Sequence, residues 1–356
     1  MKKIYRRIIE SSCCGFSHDH SCDYRCTQTF RSRWFNRRLG LVLLIAIASS
    51  APTYARTVTL RWAHVYEAST PYHACAESAS KRLFDETNGR YKIDVFAASS
   101  LGREVDIDEL VEIGAIDIIY TGVAFAGRRH PPLSIMGAPY MFRDFNHWRA
   151  ARDSSFFAEM AAEYEMATGA KVAAVTYYGQ RHLTSNVPIN DPSSMRGLKV
   201  RVPNAPLYLM FPKAFQANPT PIAFSEVYLA LQQGVVDAQE NPLPTIFAKK
   251  FHEVQSHITL TGHTIESLLT TISLRTFNRL AKSDRDALVA VLADTAESCT
   301  QEVLRQEKEL VTWFKNAGVT VNDIDRSVFR EAIVPYHTQN NVDWTSEQYS
   351  RLQAIK

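Results

Sequence analysis

Residues 198–203 read LKVRVP, and the arginine at position 201 interrupts what is otherwise the pattern of a buried β-strand. Successive side chains of a strand point to opposite faces, so Val200 and Val202 share one face and Arg201 points to the other. If that second face is also covered, the guanidinium of Arg201 requires an anion. The anion is either a carboxylate of the protein or an incoming ligand.

Extended and helical patterns alternate on both sides of this strand. A helix is expected to begin at Pro71, after Ser69 and Thr70, and to end at Gly89. A second helix is expected in EVDIDELVEIGA (104–115). Strands are expected in TVTLRWAH (57–64), YKIDVFA (91–97), IDIIYTG (116–122), KVAAVTYY (171–178), LKVRV (198–202) and VVDAQ (235–239). The last three are nearly continuous apolar runs, which are typical of parallel sheets covered on both faces. The chain is therefore predicted to be an α/β protein.

The chain after residue 282 keeps helical periodicity for more than thirty residues. Ser283 is expected to cap this helix and Gly318 to end it. A helix of that length exceeds one small domain, so it is expected to lie across two lobes. A cleft between the lobes is where a ligand would bind.

Residues 1–55 have the pattern of a secretory signal. A basic segment, RSRWFNRR (31–38), precedes an apolar run that ends in small residues at Ala55. The first thirty residues make this signal atypically long, so they are either an extended basic region of the signal or the result of a misassigned start codon. Because this segment contains nine basic and three acidic residues, its removal changes the formal net charge from +3 to −3. The mature chain then has no compositional basis for binding nucleic acid.

The cysteines do not indicate a metal site. The leader sequence CCGFSHDHSCDYRC (13–26) lacks the two separated ligand pairs that close a tetrahedral zinc site. Only Cys75 and Cys299 remain in the mature chain. They could pair in an oxidising compartment, although two cysteines so far apart in sequence are more often lone buried thiols.

Motifs for catalysis, phosphate binding and metal binding are absent from the mature sequence, so neither an enzyme nor a cofactor is expected. Residues 179–263 are instead rich in polar groups beside apolar runs. Arg181 and Arg201 each lie at or near a strand end, where two guanidiniums in one crevice would select carboxylates. The alternative is that each arginine pairs with an internal acid, Glu240 or Glu226.

Several segments resemble the substrate-binding proteins of TRAP (tripartite ATP-independent periplasmic) transporters, DctP-like family. The likeness covers most of residues 57–340 and includes SSLG (99–102), APYMFRD (138–144), FHEV (251–254) and, most specifically, AFSEVYLALQQGVVDAQENP (223–242). The resemblance implies a periplasmic-binding-protein-like fold, with two α/β lobes around a hinged cleft and a long helix spanning both. We expect lobe I to comprise residues 56–178 and 267–306, and lobe II residues 179–266 and 307–356.

The resemblance also implies a binding site. Arg201 would make the main salt bridge to a ligand carboxylate and Arg181 a second, longer contact. Asn204, Phe224 and Asn241 would complete the site on this lobe. Glu240 would orient an arginine, because a carboxylate facing an anionic ligand would repel it.

The first lobe is expected to contact the far end of the ligand. The sialic-acid binders carry an acidic residue where this chain reads TGVAFAG (121–127), so sialic acid is not the expected ligand. His64, Tyr66, Glu67 and Tyr72 offer hydrogen bonds suited to a uronate or aldonate, while a C4-dicarboxylate or a keto acid stays possible. Alternatively, these four residues belong to a solvated loop.

The expected function is that of a periplasmic receptor, monomeric and without nucleic-acid partners, that delivers a small carboxylate to the two membrane subunits of a sodium-coupled permease. A ligand-binding sensor for a receptor kinase and an exported sugar-acid enzyme are the alternatives.

Overall fold

The computed structural model describes residues 56–339 and 341–356. The predicted signal sequence and the cysteine-rich segment 13–26 lie outside the described residues. Nine strands of the described chain form one mixed sheet, and their bounds are β1 Val58–Ala63, β2 Tyr91–Phe96, β3 Ile118–Gly122, β4 Ala170–Ser185, β5 Lys199–Val202, β6 Asn218–Pro221, β7 Ala238–Pro242, β8 His257–Ser273 and β9 Thr320–Asn322.

Twelve α-helices of the described chain connect and cover these strands. Their bounds are α1 Pro71–Glu86, α2 Glu104–Glu112, α3 Val123–Ala126, α4 Phe145–Arg152, α5 Ser155–Thr168, α6 Met210–Ala214, α7 Val227–Gln232, α8 Leu243–Ala248, α9 Leu274–Arg279, α10 Lys282–Asn316, α11 Ser327–Ile333 and α12 Ser346–Ala354. None of these helices combines the length and the apolar character that crossing a bilayer requires.

The predicted elements lie at or near their expected positions, although the strand expected at 235–239 is β7, Ala238–Pro242, and β6, β8 and β9 were not predicted. Helix α1 begins at Pro71, and the hydroxyl of its N-cap Thr70 accepts a hydrogen bond from the backbone N–H of His73. Gly89 ends this segment with a φ of 77°. In β5, Val200 and Val202 pack into an apolar cluster with Leu183 and Phe211, while Arg201 points to the opposite face.

The direction of one strand differs from the expectation. The sheet order is β2-β1-β3-β8-β4-β7-β5-β6, with β9 paired to β8. Strand β4 is antiparallel to both of its neighbours, β7 and β8, whereas β5 is parallel to β6 and β7. The apolar run in β4 was expected to be parallel because it is covered on both faces, but coverage does not determine strand direction.

Helix α10 connects two apolar clusters. Residues of its first half, from Leu288 to Val303, pack in the cluster that contains β1, β3 and α1. Leu310 and Phe314, near its end, pack in a separate cluster with Val227 and Ile258. The helix ends as expected, with Gly318 at a φ of 87°. Ser283 is not its cap, because the helix begins at Lys282 and Ala281 occupies the N-cap position.

Cys75 and Cys299 form a disulfide, which corrects the expectation of lone buried thiols. The bond joins α1 to α10, and the two Cα atoms are 5.9 Å apart. Helices α1 and α10 pack against each other on the same cluster, which brings the two residues together across 224 positions of sequence. Sequence separation therefore gave no indication of a pairing that tertiary packing determines.

The disulfide is expected to stabilise the fold by restricting the unfolded chain. Replacing both residues, Cys75→Ala with Cys299→Ala, should lower the free energy of unfolding by about 2–5 kcal/mol because the closed loop is long. Urea unfolding with and without reductant measures the effect. Reductant should destabilise the wild type to the same extent and leave the double variant unchanged. Equal stability of oxidised and reduced wild type would contradict the expectation.

Glu307 ties α10 to β4 where the strand changes register between Tyr177 and Gly179. Its carboxyl accepts hydrogen bonds from the backbone N–H of Gln180 at 2.6 Å and from the hydroxyl of Tyr177 at 2.8 Å. Gly179 has a φ of 119°, and a Cβ at this position would lie 2.7 Å from Cβ of Pro242. The position therefore accepts only glycine without a shift of β7.

Burial raises the pKa of Glu307 from 4.5 to about 7, although Gln180, Tyr177 and Arg326 act in the opposite direction. A carboxyl group whose pKa is higher in the folded than in the unfolded state stabilises the fold while it is protonated. That contribution to the free energy of unfolding is lost as pH rises from about 4.5 to 7. The variant Glu307→Gln cannot titrate. Its free energy of unfolding should therefore rise relative to the wild type across this range, by up to roughly 3 kcal/mol. Unfolding in urea at pH 4.5, 6 and 8 tests this, and a constant difference between the two proteins would refute it.

Candidate ligand-binding site

A cavity of about 240 Å³ lies where β4, β5, β7 and β8 meet the loops that follow β1 and β3. Its polar wall includes side chains from several elements that are far apart in sequence. The main hydrogen-bonding groups are Glu104, Arg181, Arg201, Tyr208, Asn241 and Glu266. An enclosed space with a few convergent polar groups is the usual form of a small-molecule site.

The sheet brings the two arginines to one wall. Arg201 in β5 is paired in register with Gln239 in β7, and Arg181 in β4 with Pro242 of the same strand. The middle strand, β7, carries Glu240, which contacts Arg181, and Asn241, which lines the cavity. This arrangement depends on β4 being antiparallel to β7, because that direction sets which end of β4 reaches the cavity.

Arg201 is only 1% exposed and has no carboxylate partner among the described residues. Its Nε and Nη2 donate to the backbone carbonyl of Ile222 at 3.0 and 2.7 Å. Its Nη1 is buried without a hydrogen bond to any described residue. Burial lowers the pKa of Arg201 from 12.5 to about 10, Glu240 raises it and Arg181 lowers it. The group stays charged at neutral pH, and its charge is not neutralised by a contacting acid.

Arg181 is in the opposite situation because it is bound by an internal acid. Its Nη2 donates to Oε1 of Glu240 at 2.7 Å and to the backbone carbonyl of Glu240 at 3.0 Å, and its Nε contacts the same carboxylate. His263 adds an Nε2 contact to Glu240 at 3.3 Å. Burial would raise the pKa of Glu240, but the Arg181 charge and the hydrogen bonds from His263 and Arg181 lower it to about 2. The sequence left open whether each arginine pairs with an internal acid or binds a ligand. Arg181 pairs with the internal acid Glu240, and Arg201 does not.

Two further carboxyl groups line the cavity. Glu104, at the start of α2, accepts from the backbone N–H of Gly122 at 2.7 Å. Glu266 in β8 accepts from the hydroxyl of Tyr208 at 3.2 Å. Burial raises the pKa of each to about 7, with Arg181 lowering both. Both carboxyls are therefore largely protonated below neutral pH.

Aromatic rings complete the wall. Tyr66, Phe125, Tyr178 and Phe224 line the cavity, and the rings of Tyr66 and Phe224 meet at 6.1 Å between centroids. Such rings enclose the carbon skeleton of a ligand while the polar groups fix its orientation.

The structure brings six of the ten predicted site residues to the cavity, and these are Arg181, Arg201, Asn204, Phe224, Asn241 and Tyr66. Glu240 lies behind Arg181 and touches the cavity only through it. The other three predicted residues of the first lobe, His64, Glu67 and Tyr72, do not line the cavity. His64 contacts His73 at 3.2 Å, Glu67 pairs with Lys249 at 2.6 Å, and the hydroxyl of Tyr72 donates to the carbonyl of Tyr178.

Sequence reasoning missed Glu104, Tyr178, Tyr208 and Glu266. Tyr178 lies within an apolar run that predicts a buried strand, whereas Glu266 lies in β8, for which no strand was expected from the sequence. Among the described residues, no group of three or more His, Cys, Asp or Glu side chains is placed to hold a metal ion.

A buried, uncompensated guanidinium in an enclosed cavity, on an α/β scaffold with one long connecting helix, defines a binding protein for a small organic anion. Residues 62–341 match the family described as bacterial extracellular solute-binding protein, family 7 (DctP), and the chain belongs to this family. Its fold is the one seen in TRAP periplasmic solute-binding proteins.

Individual relatives are similar over almost their full length. The sialic acid-binding periplasmic protein SiaP of Vibrio cholerae is 32% identical over 314 residues, which cover 88% of this chain and 98% of the relative. The TRAP periplasmic solute-binding protein of Polaromonas sp. JS666, solved with bound D-erythronate, is 31% identical with a TM-score of 0.80, covering 84% and 99% of the two chains. That of Roseobacter denitrificans, solved with bound L-galactonate, is 29% identical with a TM-score of 0.78, covering 83% and 98%.

The Arg181–Glu240 pair is expected to be essential for the stability of this wall. Glu240→Gln leaves the buried charge of Arg181 without its main partner and should lower the free energy of unfolding by about 3–5 kcal/mol. Glu253→Gln is the matched control, because Glu253 forms an exposed pair with Lys250 and should change stability by less than about 1 kcal/mol. Urea unfolding at pH 7 compares the two variants, and similar values for both would argue against a structural role for Glu240.

Proposed function

We propose that this protein is the extracytoplasmic solute receptor of a TRAP transporter. It binds a small organic acid through a salt bridge between the ligand carboxylate and Arg201, and delivers the acid to a sodium-coupled membrane permease. The observation that carries this proposal is the state of Arg201, whose buried guanidinium faces the cavity and contacts no internal carboxylate.

The surroundings of the Arg201 guanidinium favour the binding of an anion. A buried charge is unfavourable unless it is paired, and a backbone carbonyl only partly offsets the lost hydration. The carbonyl of Ile222 holds the guanidinium in one orientation but leaves Nη1 without a partner. A ligand carboxylate supplies both the missing charge and the missing acceptor. Arg201 therefore stabilises the complex more than it stabilises the empty protein.

The neighbouring residues position the ligand around this salt bridge. The side chain of Asn241 is oriented by its own hydrogen bond to Gln239 at 2.7 Å and lies beside Arg181. Asn204 and Phe224 lie at the wall that follows β5 and β6, and Tyr66 lies opposite Phe224. In this arrangement Arg181 acts mainly by setting the geometry and charge of the wall, because Glu240 occupies most of its guanidinium.

Closure of the cleft would bring the two walls together. We assign residues 56–178 and 267–306 to lobe I and residues 179–266 and 307–356 to lobe II. The separate apolar clusters at the two ends of α10 support this division, although five buried residues assigned to lobe II pack with the cluster of lobe I: Ala205, Leu207, Ile265, Trp344 and Leu352. The Glu67–Lys249 ion pair then joins the lobes beside the cavity. The ligand favours closure by contacting both lobes at once.

A sugar acid is the favoured ligand, ahead of a C4-dicarboxylate or a keto acid. Similar receptors have been solved with D-erythronate and L-galactonate, and the cavity here combines an uncompensated arginine with several groups that hydrogen-bond hydroxyls. Sialic acid is disfavoured despite the similarity to SiaP, because Gly122 and Phe125 line the cavity in the segment that carries an acidic residue in sialic-acid binders.

The remaining parts of the proposal concern location and partners. The protein is exported to the periplasm by the segment before residue 56, functions as a monomer and docks on the two membrane subunits of its transporter. It performs no chemistry on the ligand. Incubating a bound acid with the pure protein and recovering it unchanged supports a receptor, whereas conversion of the acid would show an enzyme.

Removing the guanidinium should weaken binding strongly. Arg201→Ala is expected to weaken the binding of any recognised acid by ~30-fold to several thousand-fold, because truncating one partner of a buried charge pair costs about 2–5 kcal/mol. Arg201→Lys should also weaken binding strongly, because an ammonium does not reproduce the bidentate geometry. Titration calorimetry against hexuronates, aldonates, C4-diacids and 2-keto acids gives the dissociation constants.

The control for this experiment is Arg305→Ala. Arg305 lies on the exposed side of α10, where it pairs with Glu302 and Glu309. Its removal should leave the dissociation constant within about twofold of the wild-type value. An unchanged dissociation constant in Arg201→Ala would reject the assignment of Arg201 as the carboxylate ligand.

A further inference from the structure

Glu266 lines the cavity, and one of its two carboxyl oxygens has no hydrogen-bond partner among the described residues. Its Oε2 accepts from the Tyr208 hydroxyl and lies 3.6 Å from Nη1 of Arg181. Its Oε1 is buried and makes no hydrogen bond to any residue that the structure describes. Because a buried polar atom without a partner is costly, a ligand group that reaches Oε1 is stabilised there.

The groups around Glu266 come from four elements, and they oppose one another. Glu240 in β7 and Glu104 in α2 disfavour its ionised form, while Arg181 in β4 and Tyr208, in the segment Pro206–Leu209, favour it. Burial is the largest influence and raises the pKa of Glu266 to about 7. Its charge is therefore set by pH within the range in which a bacterium lives.

The charges of the inner cavity suit one carboxylate and not two. Two guanidiniums, Arg181 and Arg201, share this inner part with three carboxyl groups, Glu104, Glu240 and Glu266, while Arg103 and Glu226 also line the cavity. Glu240 neutralises Arg181 and Asp106 pairs with Arg103, so Arg201 is the lining guanidinium that has no carboxylate partner among the described residues. A second carboxylate on the ligand would lie against Glu104 and Glu266, where like charges repel.

We propose that Glu266 determines specificity by binding a hydroxyl at the far end of the ligand and excluding a second carboxylate there. The inference rests on the proposed function, because it requires the first carboxylate to lie on Arg201. A hydroxyl both donates and accepts, so it bonds Glu266 in either protonation state. A carboxylate only accepts, and the ionised form of Glu266 repels it. The ligand class is thus polyhydroxy acids with a single carboxylate.

Glu104 is less suited to this role, although it also faces the cavity. One of its oxygens, Oε1, already accepts from the backbone N–H of Gly122 and lies 3.5 Å from the hydroxyl of Thr121. That acceptor is satisfied within the protein, whereas Oε1 of Glu266 is not. Glu104 therefore adds negative potential to the wall, and Glu266 adds a buried acceptor that has no partner among the described residues.

The test uses ligand pairs that differ only at the end distant from C1. D-Erythronate is compared with meso-tartrate, and D-galactonate with galactarate, so that a terminal hydroxymethyl group is exchanged for a carboxylate. Calorimetry at pH 5.5 and pH 8.0 measures all four acids. The wild type should prefer the monoacid of a pair that it binds by about 100-fold at pH 8.0. The preference should shrink at pH 5.5, because protonated Glu266 can donate to a second carboxylate.

Two variants test whether the preference for the monoacid comes from Glu266 or from any buried carboxyl group with a raised pKa. Glu266→Gln keeps the shape and hydrogen bonding but cannot ionise, so the preference at pH 8.0 should fall below about 10-fold and its pH dependence should become smaller, the remainder coming from Glu104, whose pKa is also raised to about 7. Glu307→Gln is the matched control. Glu307 has a similarly raised pKa but does not line the cavity, so this variant should keep the wild-type preference.

The outcomes distinguish this inference from the proposed function. Equal binding of mono- and diacid by the wild type, or an unchanged preference in Glu266→Gln, overturns the role of Glu266 while leaving the Arg201-dependent receptor intact. If Glu266→Gln does not fold, as judged by circular dichroism, the wild type decides alone: a preference that does not increase from pH 5.5 to 8.0 overturns the inference. Failure of the wild type to bind any of the four acids overturns the inference and the sugar-acid assignment together.

Discussion

The ion pair between Arg181 and Glu240 is the interaction on which the rest of the site depends. Both groups are buried, and β4 and β7 hold them side by side. Because Glu240 is fully engaged by Arg181 and His263, it makes no contact with Arg201. The protein thus contains two arginines on one wall, of which one is neutralised and the other is not. In the proposed site, that asymmetry leaves Arg201 as the guanidinium available to a ligand, and a backbone carbonyl orients it without neutralising it.

The local elements could be predicted because their signals are local. The Thr70–Pro71 start of α1, the length of α10 and the alternation in β5 each follow from a few adjacent residues. The direction of β4 could not be predicted, since an apolar run reports that both faces are covered and nothing about the direction of the neighbouring strands. The Cys75–Cys299 bond depends on how α1 packs on α10, which is a tertiary property. The N-cap of α10 differs by the small shift that is usual at helix ends.

The residues of the candidate site also fall into those that the sequence could indicate and those that depend on tertiary packing. Arg201, Asn204, Phe224 and Asn241 lie in one continuous region of sequence, where the family resemblance is strong, and all four line the cavity. The opposite wall is assembled from separate segments, so the sequence of residues 63–73 alone could not show which side chains line the cavity. Tyr66 lines the cavity, whereas the adjacent Glu67 pairs with Lys249. Glu104 and Glu266 were missed because buried acids attract attention only once their surroundings are known.

The same asymmetry explains how a receptor can bind an acid tightly and still release it. If Arg201 had no contacts at all in the empty protein, burying it would be very unfavourable, and the fold itself would depend on the ligand. The Ile222 carbonyl removes part of that cost, so the empty receptor stays folded and the gain on binding is limited. The carboxyl groups opposite limit it further, because Glu104 and Glu266 become more negative as pH rises above about 7. If Arg201 binds the ligand carboxylate as we propose, affinity is a balance between one attractive guanidinium and a weakly acidic wall. Opening the cleft, which returns water to all of these groups, weakens the attraction that holds the ligand and allows its transfer.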